Sequence, residues 1–305
     1  MRKDRKKKKP GKLRMFAEYA VVMAILSVIR IIPFGAALKF GGLLGSFLYR
    51  IDKRHREITL DNLRKSFADK SEDEIELIAR SVYKNVGYLT VEFICSSRYG
   101  KNFDRYFTVR NYDIYKKALE KGKGVLILTG HCGSWELLAL AQSILKPPAG
   151  VVVRPLDNPY LDRAVSRLRE QYGNFLINKT NGMRDILKTL SSGNAAGILL
   201  DQNVKAKEGV FVDFFGRPAC TNKGMALIAA RTKAAVVPTF IHRVGRDRHE
   251  ILVYDEIPLA ETGDKEADII ANTQAYTKAI ENFITDYPDQ WFWMHRRWKT
   301  KPGDA

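Results

Sequence analysis

The stretch Gly124-Val-Leu-Ile-Leu-Thr129 runs directly into Gly130-His131-Cys132-Gly133-Ser134-Trp135-Glu136, and this segment gives the strongest indication of the fold. A short run of leucine and β-branched residues bounded by glycines predicts a buried strand. The apolar residues that follow have helical spacing and predict the inner face of a helix: Leu137, Leu138, Ala141, Ile144 and Leu145. A glycine-flanked turn therefore joins a strand to a helix.

The turn carries a histidine and, five residues later, a carboxylate. We expect His131 at the carboxyl end of the strand and Glu136 in the first turn of the helix, where the helix dipole favours an ionised side chain; Ser134 suits the N-cap. Imidazole accepts a proton from a hydroxyl near neutral pH when a carboxylate fixes its tautomer. The turn predicts a general base, while a structural histidine followed by a capping glutamate stays open as the alternative.

Further strands and helices alternate along the chain. The patterns predict strands at 150–154, 196–200, 235–241 and 251–254, and helices around 161–168, 183–190, 223–234 and 266–287. A capping box, Ser71-Glu-Asp-Glu74, opens another predicted helix that ends at Gly100. Such alternation predicts an α/β fold with a largely parallel central sheet flanked by helices.

Three polar residues each follow a predicted strand: His131, Arg154 and Asp201. In open parallel sheets, ligands bind outside the carboxyl ends of the strands, so we expect these side chains at one edge. A base, a cation and a second carboxylate at one edge favour a catalytic site. For Arg154 and Asp201 a structural ion pair or a helix cap stays open as the alternative.

The chain is strongly basic. It has 51 Lys and Arg against 34 Asp and Glu, a formal net charge of +17, and nine of these cations lie in residues 1–14. This charge predicts an acidic partner, namely nucleic acid, anionic lipid or an acidic carrier protein. The nucleic-acid interpretation is the least favoured, because no nucleic-acid-binding motif occurs elsewhere in the sequence.

An apolar segment, residues 15–50, follows the basic tail at 1–14. A polybasic run beside an apolar helix is typical of membrane association. The uncharged core, Tyr19–Ile29, has 11 residues, whereas a span needs about 20. We therefore expect a helix that lies in the membrane surface or inserts shallowly, with a buried helix as the alternative. Residues 51–305 are predicted to form one large domain.

The three cysteines, Cys95, Cys132 and Cys220, are odd in number and show no CxxC spacing. Neither a disulfide framework nor a zinc site is indicated, and no metal is predicted. Cys132 lies beside His131, which permits a nucleophile interpretation, but neighbouring side chains in a turn point apart as often as together.

Five blocks in order resemble the late lipid A biosynthesis acyltransferases, a branch of the lysophospholipid acyltransferase superfamily. The blocks are Gly130-His131-Cys132-Gly133-Ser134-Trp135-Glu136, Arg154-Pro-Leu-Asp-Asn158-Pro, Asp201-Gln202, Phe214-Phe-Gly-Arg217-Pro-Ala219 and Pro288-Asp-Gln-Trp-Phe-Trp-Met-His-Arg-Arg-Trp298. The similarity runs from about residue 15 to residue 300. The ordered set is far more specific than the HxxxxE motif alone.

The resemblance implies a cofactor-independent enzyme on the cytoplasmic face of the inner membrane that moves an acyl chain from acyl carrier protein to a hydroxyl of an anionic lipid A precursor. Residues 51–305 would be its acyltransferase domain. By its position in the motif, His131 resembles the general base of this family. Glu136 and Asp201 are the candidate carboxylates that would assist it. Arg154, Asn158, Gln202 and Arg217 are candidate substrate-binding residues. The candidate phosphate contacts are Arg217, Arg296, Arg297 and Lys299, with solvated surface charge as the alternative for each.

The developing oxyanion would be bound by Arg154 or by backbone N–H groups of the Gly130–Gly133 turn. The aromatic cluster Trp291, Phe292, Trp293 and Trp298 is expected to pack in the core, with an acyl channel or the membrane interface as the alternatives. Three other functions stay open: acylation of a lysophospholipid or glycosylated phosphoinositide, hydrolysis that releases the acyl chain to water, and membrane binding without chemistry.

Overall fold

A computed structural model describes residues 11–145, 147–180 and 182–304, so most of the predicted basic tail lies outside the described residues. Twelve α-helices and nine β-strands occur in the described part. The helices are α1 (Lys12–Ile31), α2 (Phe34–Ile51), α3 (Lys53–Ser66), α4 (Glu72–Ile94), α5 (Ser96–Lys101), α6 (Phe103–Tyr106), α7 (Tyr112–Glu120), α8 (Trp135–Leu145), α9 (Pro159–Glu170), α10 (Gly182–Ser191), α11 (Gly224–Thr232) and α12 (Lys265–Asp286). The strands are β1 (Phe107–Arg110), β2 (Val125–Thr129), β3 (Ala149–Val153), β4 (Phe175–Asn178), β5 (Ala195–Leu199), β6 (Gly209–Phe214), β7 (Arg217–Asn222), β8 (Ala235–Arg243) and β9 (His249–Val253).

Seven strands form the central sheet in the order β1-β9-β8-β2-β5-β3-β4. All neighbouring pairs are parallel except β8 and β9, which are antiparallel. The predicted α/β fold with a largely parallel sheet is confirmed. The central strand β2 is buried along its whole length, as its unbroken apolar sequence predicts.

Alternate residues of β2 face different parts of the core. Leu126 and Leu128 pack into the large cluster that also includes residues of α4, α11 and α12. Val125 and Ile127 pack into a separate cluster with residues of α7. The period of two along the strand therefore places helices on both faces of the sheet, as the alternation of strands and helices predicts.

A two-stranded antiparallel sheet, β6 with β7, is an addition that the sequence patterns did not predict. Its turn residues Phe215 and Gly216 have φ angles of 53° and 69°, which suits a two-residue hairpin loop. Asn-Gly and Asp-Gly are the usual signals for this loop, and phenylalanine rarely occupies the left-handed region. The ring of Phe215 packs against Phe67 and Trp293, which accounts for its placement.

Strands β1 and β4 were also not predicted, and the helix from Ser71 ends at Ile94 instead of Gly100. Cys95 leaves the helical conformation, with φ −97° and ψ 18°, and the short helix α5 follows. The capping box at Ser71 and Glu74 is present as predicted.

The apolar segment at 15–50 forms α1 and α2, which are separated at Pro33 because proline disfavours helical conformation in the residue before it. Helix α2 packs closely on α4: a Cβ added at Gly41 or Gly87 would meet the backbone of the other. In the described part of the chain, no helix is both long enough and apolar enough to cross a membrane. The expected membrane association of this segment stays a prediction.

Candidate active site

His131 and Asp201 form a hydrogen-bonded pair at the carboxyl edge of the sheet. Strands β2 and β5 are parallel neighbours, so the loops after them leave the sheet side by side. Asp201 Oδ1 lies 2.8 Å from His131 Nδ1, and Asp201 Oδ2 accepts the backbone N–H of His131 at 2.9 Å. The Asp201 side chain is 1% exposed and that of His131 is 23% exposed. Asp201 therefore fixes both the ring and the backbone of the histidine.

The contact stabilises the ionised form of Asp201 and the protonated form of His131. Burial acts to raise the pKa of Asp201, but His131, through its charge and two hydrogen bonds, and Trp291 hold that pKa well below its usual range. Burial acts to lower the pKa of His131, but the carboxylate of Asp201 outweighs it, and the pKa is raised above 6.5. Because an ionised Asp201 can only accept, Nδ1 carries the proton, and Nε2 presents its lone pair.

The C-terminal segment holds the turn that carries His131. Trp291 Nε1 donates to Asp201 Oδ2 at 2.7 Å, and Phe292 N donates to the carbonyl of His131 at 3.1 Å. Gly133 N donates to the carbonyl of Gln290 at 2.6 Å. The predicted core packing is confirmed for Trp291, Trp293 and Trp298, which are buried, whereas Phe292 is half-buried and packs against Trp135. Trp291 also contacts the site directly.

Gly133 lets the turn pass close to strand β8. Its φ is 53°, and a Cβ at this position would collide with the carbonyl oxygen of Ile241. A larger residue is therefore excluded by both the backbone conformation and the space, which explains the glycine that precedes Ser134.

Glu136 lies in the first turn of α8, as predicted, but it pairs with Arg169 of α9 instead of His131. Arg169 Nε donates to Glu136 Oε2 at 3.0 Å, and Arg169 Nη2 donates to Oε1, which makes the pair bidentate. The side chains are 15% and 20% exposed. The sequence left open which carboxylate orients the imidazole; in the structure Asp201 does so, and Glu136 acts on His131 only through its charge.

A buried polar cluster lies behind the turn, centred on Glu92 of α4, whose side chain is fully buried. Ser134 Oγ donates to Glu92 Oε2 at 2.8 Å. Oε1 lies 2.6 Å from Arg243 Nη1 and 3.0 Å from His249 Nε2, and it accepts from the hydroxyl of Tyr99 at 3.2 Å. Burial acts to raise the pKa of Glu92, but His249 and Arg243 hold it well below its usual range. Ser134 precedes α8 as predicted, and its hydroxyl anchors the turn to α4.

Gln202 and His295 complete the surroundings of His131. Gln202 Nε2 lies 3.3 Å from His131 Nε2, so the amide donates to the lone pair of this ring nitrogen. His295 Nε2 accepts the backbone N–H of Asn203 at 3.0 Å, and burial lowers its pKa. Trp135 packs edge-on against the imidazole with ring centroids 5.1 Å apart.

Three predicted substrate-binding residues have other partners. Arg154 directly follows β3, but its side chain is 78% exposed and lies 3.6 Å from Asp157. Asn158 caps α9 and donates to the carbonyl of Met15 at 2.8 Å. Arg217 donates to Ser66 Oγ at 3.1 Å and stacks over Trp298. Their roles in substrate binding stay predictions.

Two further candidates are buried. Arg297 is fully buried and donates to the carbonyl of Cys220 at 2.9 Å, so it is not placed to contact a phosphate at the surface. Cys132 is 1% exposed, and burial raises the pKa of its thiol well above the usual value. A nucleophilic thiolate at Cys132 is therefore not favoured. Arg296 and Lys299 are exposed and stay predicted phosphate contacts.

This chain is similar to known proteins along nearly its whole length. A family model described as bacterial lipid A biosynthesis acyltransferase matches residues 4–300. Among curated proteins, the lipid A biosynthesis palmitoleoyltransferase of Escherichia coli K12 is 26% identical over 278 residues, covering 89% of this chain and 87% of the relative. The lauroyltransferase of the same strain is 25% identical over 283 residues, covering 92% and 90%. Its myristoyltransferase is 22% identical over 263 residues, covering 86% and 80%.

Proposed function

Because the chain belongs to the bacterial lipid A biosynthesis acyltransferase family, we propose that it transfers a fatty acyl chain from an acyl carrier protein thioester to a hydroxyl of a lipid A precursor, with His131 as the general base. The observation that carries this proposal is the His131–Asp201 pair, which presents Nε2 at the edge of the sheet.

The reaction uses one proton carrier. Nε2 of His131 takes the proton of the acceptor hydroxyl while its oxygen attacks the thioester carbonyl. The tetrahedral intermediate collapses, the carbon–sulfur bond breaks, and the imidazolium returns the proton to the departing sulfur. The buried carboxylate of Asp201 stabilises the imidazolium between these steps. Direct transfer needs an oriented alcohol, a base and donors for the oxyanion.

We propose an oxyanion donor other than Arg154 and most N–H groups of the Gly130–Gly133 turn. The N–H groups of His131, Cys132 and Gly133 are bonded to Asp201, Gly130 and Gln290. Arg154 points into solvent beside Asp157. Gln202 lies next to Nε2 through a long bond of 3.3 Å, which an incoming hydroxyl would replace. We assign the amide of Gln202 as an oxyanion donor. The Glu136–Arg169 pair adds one negative and one positive charge near the site and leaves its net charge unchanged.

The proposed partners follow from charge and surface. A net charge of +17 suits an acidic acyl carrier protein and an anionic glycolipid. Helices α1 and α2 expose large apolar side chains, among them Leu13, Phe16, Leu43 and Phe47. Such a surface next to a polybasic sequence favours docking on an anionic membrane. We propose the cytoplasmic face of the inner membrane as the place of action.

Replacement of the proposed base tests the function. His131→Ala should lower acyl transfer by ~10²–10⁴-fold, the usual loss when general acid–base help is removed. The assay combines purified full-length protein, acyl carrier protein thioesters and mass spectrometry of the lipid acceptor. His55→Ala is the matched control, because His55 forms a similar pair with Asp52, 2.7 Å apart, at the surface.

Several outcomes would contradict the proposal. A folded His131→Ala variant with normal turnover would exclude His131 as the base. Free fatty acid that forms at the full rate without acceptor would indicate a hydrolase. Faster transfer to lysophospholipid or glycosylated phosphoinositide than to a lipid A precursor would show that the acceptor belongs to another lipid class. Vesicle binding without thioester consumption would indicate a membrane-binding protein without this chemistry.

A further inference from the structure

A cleft separates α1 from α9, away from the contacts that hold His131. Its volume is about 190 Å³, and it is lined by Tyr19 of α1 and by Tyr160, Arg163, Ala164 and Arg167 of α9. We call this the α1–α9 cleft. The two helices are tied together beside it, because the side-chain amide of Asn158 donates to the carbonyl of Met15 at 2.8 Å.

Aromatic rings lie on both sides of the cleft, with Tyr19 on α1, Tyr160 on α9 and Phe16 next to both. The ring centroids of Phe16 and Tyr160 are 5.7 Å apart, those of Tyr19 and Tyr160 are 5.9 Å apart, and those of Phe16 and Tyr19 are 6.1 Å apart. Phe16 is 52% exposed and Tyr160 is 38% exposed. Aromatic residues with an apolar body and a polar edge are enriched where a protein meets the membrane interface.

Two arginines lie beside Tyr160 on the α9 side of the cleft. Arg163 and Arg167 lie one helical turn apart on α9 and are both exposed. Among the described residues, neither has a carboxylate within ion-pair distance, whereas Glu18 of α1 is already paired with Arg14 at 2.9 Å. Like charges at this spacing repel each other, so an anion between the guanidinium groups would relieve the repulsion.

Apolar side chains of α1 lie on the side that faces the cleft. Leu13, Phe16 and Tyr19 are spaced three residues apart and so share one side of the helix. Leu13 is 84% exposed and Phe16 is 52% exposed. Guanidinium groups recognise phosphate through several hydrogen bonds, and an apolar helix face favours acyl chains. We infer that the α1–α9 cleft binds the phosphate of an anionic lipid headgroup whose acyl chains lie against α1. This inference rests on the membrane docking proposed above.

The size of the cleft agrees with a headgroup. Pockets that enclose a drug-sized ligand have volumes of roughly 300–1,000 Å³. The cleft is smaller, at about 190 Å³. It therefore suits a phosphate and its linkage, with the remainder of the lipid outside the protein.

A double substitution tests the inference. The full chain, the variant Arg163→Gln/Arg167→Gln and the control Arg184→Gln/Lys188→Gln are sedimented with vesicles of phosphatidylcholine, with and without phosphatidic acid. The control removes two exposed cations with the same spacing from α10. At roughly a fivefold loss per cation near an anionic surface, the cleft variant should bind phosphatidic acid vesicles about 30-fold more weakly. The control should lose much less.

Each other outcome would overturn the inference. Equal losses in both variants would mean diffuse electrostatic attraction only. Inorganic phosphate that binds the full chain in calorimetry, with vesicle binding unchanged in the cleft variant, would indicate a site for soluble phosphate.

Acyl transfer in detergent micelles separates this inference from the proposed function. The cleft variant should keep its turnover there, because Arg163 and Arg167 are not part of the His131 site. Lost turnover with normal vesicle binding would instead place these arginines in acceptor recognition. If the unmodified chain binds no anionic vesicles, the membrane docking and this inference both fail, while the His131 assay still tests acyl transfer.

Discussion

At the scale of single residues, the choice of carboxylate decides the chemistry of the site. Asp201 contacts both the ring and the backbone of His131, whereas Glu136 is neutralised by Arg169. The five-residue spacing in HxxxxE therefore does not imply a direct hydrogen bond. The turn aims Glu136 at α9 and leaves the ring to a residue that is 70 positions away in the sequence.

The pH dependence should reveal the role of Asp201. The raised pKa of His131 means that the neutral base is lost as the pH falls through a value above 6.5, so kcat/KM should rise with pH to a plateau. In Asp201→Asn the carboxylate that raises this pKa is gone and burial still lowers it. The midpoint should move to lower pH and the plateau should fall by ~10²–10⁴-fold.

The control for this profile is Asp52→Asn, which breaks the surface pair with His55. It should leave both the midpoint and the plateau as they are. An unchanged midpoint in folded Asp201→Asn would show that Asp201 does not set the protonation of the base.

At the scale of elements, the bidentate pair of Glu136 and Arg169 joins α8 to α9. Arg169→Gln leaves a largely buried carboxylate without its charge partner, which should lower the free energy of unfolding by ~1–3 kcal/mol. Adding Glu136→Gln removes the unpaired carboxylate. The free energy of unfolding of the double variant should therefore fall by less than the sum of the losses of Arg169→Gln and Glu136→Gln alone. Urea unfolding of all four proteins measures this coupling.

Arg64→Gln is the matched control, because Arg64 and Glu72 form a bidentate pair at the surface, with Nη2 and Oε2 2.7 Å apart. Its urea midpoint should stay close to that of the unmodified protein. Strictly additive losses at Glu136 and Arg169 would show that this pair does not stabilise the contact between α8 and α9.

Sequence patterns predicted the elements that have an unbroken apolar run or a helical period and missed those that have neither. The strands at 124–129, 196–200 and 235–241 agree with β2, β5 and β8 to within one or two residues, because unbroken apolar runs mark buried strands. The hairpin β6–β7 turns at Phe215 and Gly216, a pair that carries no usual turn signal.

The candidate site was predictable in part for a similar reason. His131 and Asp201 follow apolar runs, so strand topology alone places them at one edge. Arg169 and Glu92 lie inside helices, where the spacing of residues does not indicate a partner that is distant in the sequence. The packing of α9 and α4 brings the two side chains to the turn.

At the scale of the whole molecule, α1 and α2 present a broad apolar surface to solvent. If this surface docks on a membrane, Leu43→Glu/Phe47→Glu should weaken binding to phosphatidylcholine vesicles by roughly 10²-fold or more, since each buried side chain contributes ~1.5–3 kcal/mol. Turnover on detergent-solubilised substrates should persist. Sedimentation of the full chain with vesicles measures the effect.

Leu77→Glu is the control, because Leu77 is a large apolar residue of α4 that is 66% exposed. It should bind vesicles as the unmodified chain does. Undiminished binding of the Leu43→Glu/Phe47→Glu variant would remove α2 from the docking surface.

The burial of Cys132 allows thiol labelling to measure whether the turn that carries His131 stays closed. All three cysteines of the chain are buried and free, so alkylating reagents should leave the native enzyme active. Modification of the thiol beside His131 would require the C-terminal segment to detach from the turn, since Cys132 pairs with Trp291 across a β-bridge. The rate of Cys132 labelling would therefore measure how often the segment at Trp291 separates from the turn.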